Sequence, residues 1–234
     1  MTPLRERNLQ PELMDQPDLD PQSHELALLA LRRINLLSRT AAIVWPAIRR
    51  LAIQRDRPLR VLDIACGGGD VTLGIWRKAR RANLPLEIVG LDMSPVAVGH
   101  ARALAKAEGA DVEFQIGNVL DPPLPADFDA IMTSLFLHHL TRADAERLLA
   151  AMGRAAKHLV VVNDLRRSTI GYLLAQAVCR VVTRSPVVRV DGPRSVAGAF
   201  TLSEIRAMCA AADLTPISLA RRWPCRFLLT WERP

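Results

Sequence analysis

The sequence predicts an alternating α/β fold, with a mostly parallel sheet covered by helices on both faces. Three observations predict it. Short apolar runs of strand length alternate with amphipathic stretches of helix length from Leu59 to Val162. A glycine cluster, Gly67-Gly68-Gly69, occupies the first strand-to-helix junction. Acidic residues, Asp63 and Asp92, close the first two strand patterns. A β-α-β rhythm of this kind gathers its loops at the carboxyl edge of the sheet, where such folds bind ligands.

The elements follow in order. Residues 1–22 carry Pro3, Pro11, Pro17 and Pro21 among Asp and Glu. That composition cannot bury enough apolar surface to order itself alone, so a flexible or docked arm is expected. Residues 23–55 read as a helical lid made of two helices, 23–37 starting at Ser23 and 40–54, the second kinked or restarted at Pro46. Residues 56–234 form the main domain after the turn Arg55-Asp56-Arg57-Pro58. Strands are expected over 59–64, 87–91, 112–116, 128–133 and 159–162. Helices are expected over 70–82, 95–108 and 143–154, the second with Pro95 in its first turn and Gly109 at its end. The last third reads as an apolar helix over 168–183, a loop through Pro186 and Pro193, a helix over 202–212 and a hairpin of 215–221 with 226–231 around Pro224.

Composition sets the outer bounds. A chain of 234 residues is long enough for one domain with a real core. No run approaches the roughly 18 apolar residues that a membrane span requires, and the first residues lack the apolar stretch of a secretory signal. A cytoplasmic monomer or homodimer is expected. The net charge of +7 favours acidic partners in a general way, yet the arginines are scattered and aromatics make up 4%, so a solvated surface explains the charge better than nucleic-acid binding. Cys66, Cys179, Cys209 and Cys225 lie far apart with no Cys-x-x-Cys pair; reduced thiols are expected, and no metal site is expected.

The chemistry begins at the first loop. Glycines at Gly67 and Gly69 let the backbone approach a ligand, and the helix that follows presents free N–H groups. Asp63 decides which ligand. A carboxylate beside the loop repels a dinucleotide's pyrophosphate but suits the amino end of an amino-acid-like cofactor, which argues for S-adenosylmethionine and against NAD. Asp92 is placed to accept both ribose hydroxyls, although alone it is an ordinary N-cap before Ser94-Pro95.

Over roughly residues 59–231 the sequence resembles the class I S-adenosylmethionine-dependent methyltransferases. The resemblance rests on Leu62-Asp63-Ile64-Ala65-Cys66-Gly67-Gly68-Gly69, Gly90-Leu91-Asp92-Met93-Ser94, Gly117-Asn118-Val119, and Phe128 to Ser134 with Leu137-His138-His139-Leu140. It implies a Rossmann-like sheet of seven strands, mostly parallel with the last antiparallel, behind an N-terminal helical extension. It also implies a methionine subsite at Asp63, Ala65, Cys66, Gly67 and Gly69, a ribose subsite at Asp92 and Met93, an adenine subsite at Asn118 and Val119, and a wall near the sulfonium at Ser134. Two positions depart from the family. Ala65 stands where a glycine is usual, and Asn118 where aspartate is frequent; the methyl group is small, and the Asn118 amide oxygen still accepts from an adenine amine.

The acceptor side is read from the later strand ends. His138 or His139 can take the proton of an attacking hydroxyl, or serve as a cap or packing group. Much of methyl transfer is alignment, so a base is optional. Asp164 and Arg167 can bind a polar substrate, pair with each other or cap the next helix. Tyr172 sits on an apolar helix able to roof a pocket, or simply to pack. Asp191 and Arg194 lie in a polar loop that closes over the site or forms a plain turn.

Two other motifs carry less weight. Asp121-Pro122-Pro123-Leu124 resembles a motif of amino-group methyltransferases but precedes the fourth strand, and Pro224-Cys225 resembles the nucleophile of cytosine C5 methyltransferases but sits in the hairpin. Residues 33–38 with Trp45-Pro46 look like the entry helices of ubiquinone and menaquinone methyltransferases, and residues 163–167 with the Asp191 loop look like bacterial enzymes of polyketide-type metabolism. The expected function is methylation of a small acceptor on oxygen, the acceptor being phenolic, quinol or polyketide-like. The alternatives are C-methylation of a quinone-like ring, nucleic-acid methylation, and donor binding without turnover.

Overall fold

The computed structural model describes residues 4–16, 18–121 and 123–233. Its strands are β1 (Leu59–Ile64), β2 (Leu86–Asp92), β3 (Val112–Ile116), β4 (Ala130–Ser134), β5 (Leu159–Leu165), β6 (Ser218–Arg222) and β7 (Arg226–Glu232). They form one sheet in the order β3-β2-β1-β4-β5-β7-β6. The first five are parallel, and β7 runs antiparallel between β5 and β6. The chain reverses its direction of travel across the sheet between β1 and β4, the switch point at which loops splay apart to admit a ligand.

The helices are α1 (Pro21–Leu37), α2 (Thr40–Ala52), α3 (Asp70–Arg81), α4 (Pro95–Glu108), α5 (Arg142–Ala155), α6 (Thr169–Val182), α7 (Pro186–Gly198) and α8 (Leu202–Ala211). Period-2 alternation along the strands sorts their side chains onto two faces. Val61, Met132 and Val161 pack with Val44, Ile48 of α2 and Ile75 of α3. Leu62, Ile131 and Val162 pack with Leu148, Met152 of α5 and Met208 of α8. None of the described helices is long and apolar enough to cross a membrane.

Four expectations need correction. The polar pair Asn163-Asp164 does not end β5 but continues it to Leu165, because β7 pairs with the whole length from Leu159↔Glu232 to Leu165↔Arg226. The stretch from Pro186 to Gly198, expected as a loop, is α7: Ser185 caps it by accepting from Val188 N–H, Pro186 sits at its first turn, and Pro193 is tolerated inside. Pro46 lies within α2 without breaking it, since buried Val44, Ala47 and Ile48 hold both sides to the sheet. Finally, α1 begins at Pro21, capped by Asp20, whose Oδ2 accepts from Ser23 N–H at 2.9 Å.

At the opposite edge from the loops, one ion pair ties the starts of β1 and β4. Asp129 is wholly buried and accepts from Arg57 at 2.8 and 2.7 Å and from Arg60 N–H at 3.0 Å. Asp129→Ala is expected to cost about 2–4 kcal/mol in urea denaturation, because it orphans a backbone donor together with the guanidinium. A loss below about 0.5 kcal/mol, the scale of an ordinary surface substitution, would show that this pair is not structural.

Candidate active site

Between β1 and α3 the chain enters the left-handed region three times, at Ala65 (φ 53°), Gly67 (φ 54°) and Gly69 (φ 75°). Glycine adopts this conformation freely, whereas Ala65 carries about 1–2 kcal/mol of strain. The loop is tied down from β2: Gly67 N–H donates to Asp92 Oδ2 at 2.7 Å, Ser94 N–H to Asp92 Oδ1 at 2.9 Å, and Cys66 N–H to the Leu91 carbonyl at 3.1 Å. The two glycines differ in use. A Cβ on Gly67 would meet nothing within 4 Å, while one on Gly69 would lie 2.8 Å from Phe114 and 2.9 Å from Ala101. Gly69 serves packing, and the backbone at Gly67 is open to a ligand.

Asp63 is almost fully buried and accepts from Thr72 Oγ1 at 2.6 Å. Burial pushes its carboxyl up to about 7, with Asp70 and Asp92 adding to the rise against the Thr72 hydrogen bond. The Cys66 thiol is also raised well above its ordinary value, by burial and then by Asp63 and Asp92, so it stays neutral. Gly117 N–H donates to the Asp92 carbonyl at 2.9 Å, which brings exposed Met93, exposed Asn118 and buried Val119 together at the ends of β2 and β3. The Asn118 Oδ1 accepts from Leu120 N–H at 3.0 Å.

Ser134 and Asn163 are register partners across β4 and β5. Ser134 Oγ and both amide atoms of Asn163 are buried and have no hydrogen-bond partner among the described residues. An orphaned buried polar group costs about 1–3 kcal/mol and calls for an explanation such as a ligand. An open glycine backbone, acidic groups beside it and unpaired polar atoms one and two strands away together fit a polar, cation-bearing cofactor.

Past Ser134, Leu135 is left-handed (φ 60°), and a 3-10 turn spans Leu137–His139. His138 is 4% exposed, with Nδ1 2.6 Å from Asp164 Oδ1, and its backbone N–H donates to Asp164 Oδ2 at 3.2 Å. Burial raises the Asp164 carboxyl, but the His138 charge and hydrogen bond outweigh it and hold the group below its usual range. His139 Nδ1 lies 2.9 Å from Asp15 Oδ2. Burial works to lower the His139 imidazole, yet the Asp15 hydrogen bond and the nearby Glu12 and Asp164 charges carry it up to about 9.

The residues before α1 lie along this loop. Arg7 donates to the Gly198, His138 and Leu140 carbonyls at 2.5, 3.0 and 2.6 Å and stacks 3.8 Å over the Phe200 ring.

Residues 61–158 match the sequence profile of a methyltransferase domain family. Over that stretch, less than half of the chain, the sequence is similar to a methyltransferase domain. S-adenosylmethionine is the cofactor of that family. The chain is 34% identical over 123 residues to a demethylmenaquinone methyltransferase of Thermus thermophilus, covering 51% of this chain and 52% of that protein. It is 26% identical over 165 residues to a ubiquinone biosynthesis O-methyltransferase of Azoarcus, covering 69% and 66%. A plantazolicin methyltransferase solved with S-adenosylhomocysteine shares the fold, at 15% identity, a TM-score of 0.68 and 91% of each chain. The chain spans about half the length of the first curated relatives it matches.

Within this domain and its N-terminal arm, the structure sorts the residues singled out from sequence. Asp63, Ala65, Cys66, Gly67, Gly69, Asp92, Met93, Asn118, Val119 and Ser134 line the ends of β1 to β4, and Asp164 joins His138. Three others spend their polar atoms elsewhere. Asp191, in α7, accepts from Leu13 and Met14 N–H at 2.8 and 3.0 Å, and Arg194 donates to the Pro11 carbonyl at 3.0 Å. Arg167 pairs with Glu204 at 2.9 Å and donates to the Ala199 carbonyl at 2.8 Å. Tyr172 is half-buried in α6, with no side-chain hydrogen bond among the described residues. Asp121 and Pro123 lie in a loop, and Pro122 lies outside the described residues. Sequence reasoning missed Asn163, Arg7, Glu12 and Asp15. Only Asn163 carried a signal, as a polar residue directly after the fifth strand pattern at the ligand face.

Two predictions follow from the loop. Gly69→Ala should lose about 2–4 kcal/mol through strain and overpacking, and Gly67→Ala only about 1–2 kcal/mol through strain, in thermal melts without cofactor; equal losses would contradict the assignment. Asp63 keeps its proton in the folded state between about pH 4 and 7, while the unfolded chain has already released it. Wild-type stability should therefore fall across that window relative to Asp63→Asn, by about 4 kcal/mol at most. Parallel pH profiles would show that Asp63 ionises normally.

Proposed function

We propose that the chain is a methyltransferase acting on an oxygen of a small phenolic or quinol-like acceptor. The observation that carries this reading is the buried His138–Asp164 pair, set at the carboxyl ends of β4 and β5 beside the cofactor loop. Bound S-adenosylmethionine would supply an electrophilic methyl carbon on a sulfonium, which an oxygen nucleophile would attack as the carbon–sulfur bond breaks and S-adenosylhomocysteine leaves. Asp63 would balance the positive aminoacyl end, and the open backbone at Gly67 would admit it. Asp92 would hold the ribose diol, with Met93, Asn118 and Val119 around the adenine. Ser134 Oγ and the Asn163 amide would find their missing partners at the reacting end.

His138 takes the acceptor proton at Nε2. Asp164 holds Nδ1–H, which sets the tautomer and stabilises the imidazolium that forms. The relatives support the acceptor class, since their names refer to ubiquinone and demethylmenaquinone. The demethylmenaquinone relative also favours a second reading, transfer to a ring carbon of a quinol-type acceptor, for which the same pair would remove the proton.

The test is turnover of labelled S-adenosylmethionine with a panel of phenols, naphthols and quinols. Methyl ethers should form, and His138→Ala should lower kcat about 10²–10⁴-fold while leaving S-adenosylhomocysteine affinity within about threefold. Ring-methylated products would establish the second reading, and full activity in His138→Ala would remove the base. No turnover of any acceptor would point to a donor-binding protein.

A further inference from the structure

We propose that Glu12, His138 and His139 form a binding site for one divalent transition-metal ion of the zinc class, built across the seam between the arm and the loop after β4. Among the described residues they are the cluster whose imidazole and carboxylate donor atoms all lie within 4.8 Å of one another.

The two imidazoles are oriented alike. Each presents Nδ1 to a carboxylate, His138 to Asp164 at 2.6 Å and His139 to Asp15 at 2.9 Å. A carboxylate there fixes each ring and aims its Nε2 at the cluster, the arrangement that supports metal-bound histidines, and an incoming ion displaces the Nε2 proton that the neighbouring carboxylates favour on His139. Both Nε2 atoms turn toward one group. His138 Nε2 is 3.7 Å from Glu12 Oε1, and His139 Nε2 is 3.9 Å from Glu12 Oε2. These separations are too long for hydrogen bonds. They are close to the spacing of donors around a shared ion, since bonds of about 2.0–2.2 Å place tetrahedral ligands about 3.3–3.5 Å apart. The two Glu12–imidazole separations need a contraction of only a few tenths of an ångström, and all donor atoms of the cluster already lie within 4.8 Å of one another.

Glu12 is positioned without the ion. Ser195 Oγ donates to its Oε1 at 2.5 Å, and Asp191 pins the next two residues through their backbone N–H groups. Three carboxylates, Glu12, Asp15 and Asp164, surround the two imidazoles, so the cluster has negative charge for a cation to offset. Two imidazole nitrogens and one carboxylate suit zinc, cobalt, nickel or ferrous iron, whereas magnesium and calcium favour oxygen donors. His138 and Glu12 are buried, while His139 keeps 22% side-chain exposure and gives the ion a path in.

The assigned role rests on the methyl-transfer reading: a cation held at Nε2 would act as a Lewis acid that lowers the pKa of a coordinated acceptor hydroxyl, whose proton would pass to solvent in place of transfer to His138. The site itself does not depend on that reading.

The experiment is a Co²⁺ titration of the untagged, chelator-stripped full chain, followed by its visible d–d absorption. One equivalent should saturate the signal at micromolar metal, and Zn²⁺ should displace it. His139→Ala and the conservative Glu12→Gln should each weaken binding at least 100-fold, and Asp15→Asn about tenfold. Circular dichroism and S-adenosylhomocysteine binding report that each variant is folded. Absence of a saturable signal in folded wild type would overturn the site, as would a signal unchanged in both His139→Ala and Glu12→Gln; the cluster would then be an ion-pair network that docks the arm. The readout uses neither donor nor acceptor. A failed titration leaves methyl transfer standing, and absent turnover leaves the Co²⁺ signal intact.

Discussion

The carboxylate of Asp92 holds the working edge of this molecule in place. Its two oxygens accept from Gly67 N–H and Ser94 N–H, so one side chain at the end of β2 fixes both the glycine loop after β1 and the start of α4. Charge-assisted bonds of this kind contribute about 1.5–3 kcal/mol each, enough to offset the left-handed strain at Ala65. The same tie explains how the loop tolerates alanine in a left-handed conformation that favours glycine. With the Cys66 N–H to Leu91 carbonyl bond beside it, this tie holds the backbone of Gly67 open toward a ligand.

Strand alternation then distributes the chemistry. Asp63, Ser134 and Asn163 continue the face that packs against α2 and α3, whereas Asp164 continues the face shared with α5 and α8. The polar groups suited to a cofactor and Asp164 therefore leave their strands on opposite faces, and the loop after β4 carries His138 to Asp164 at that same edge. Two neighbouring strands, β4 and β5, carry both. Proximity without mixing is what a two-substrate transfer needs, because most of its advantage comes from alignment.

The fold was legible where interactions are local. Glycines, caps and apolar periodicity placed β1 through α5 within a few residues, since each of those signals acts within a turn or two of chain. Legibility failed where distant partners decide. Asn163-Asp164 remained strand because β7 pairs with it, and Pro186 to Gly198 became a helix whose Asp191 accepts from the arm. The arm itself is the largest case. Glu12-Leu13-Met14-Asp15 has the composition of a linker, and nothing local reveals that it meets His138 and His139 from the far end of the chain. Asp191, Arg194 and Arg167 were singled out because polar residues near a ligand face so often bind substrate; here their partners are arm backbone and Glu204.

The central claim is that the Asp63 to Asp92 edge recognises an amino-acid-bearing nucleoside rather than a dinucleotide. Isothermal titration calorimetry of the wild-type chain with S-adenosylhomocysteine and, separately, with NAD tests it most directly. Saturable one-to-one binding of S-adenosylhomocysteine with no heat from NAD is the predicted result. Binding of NAD, or no binding of S-adenosylhomocysteine to the folded protein, would contradict it.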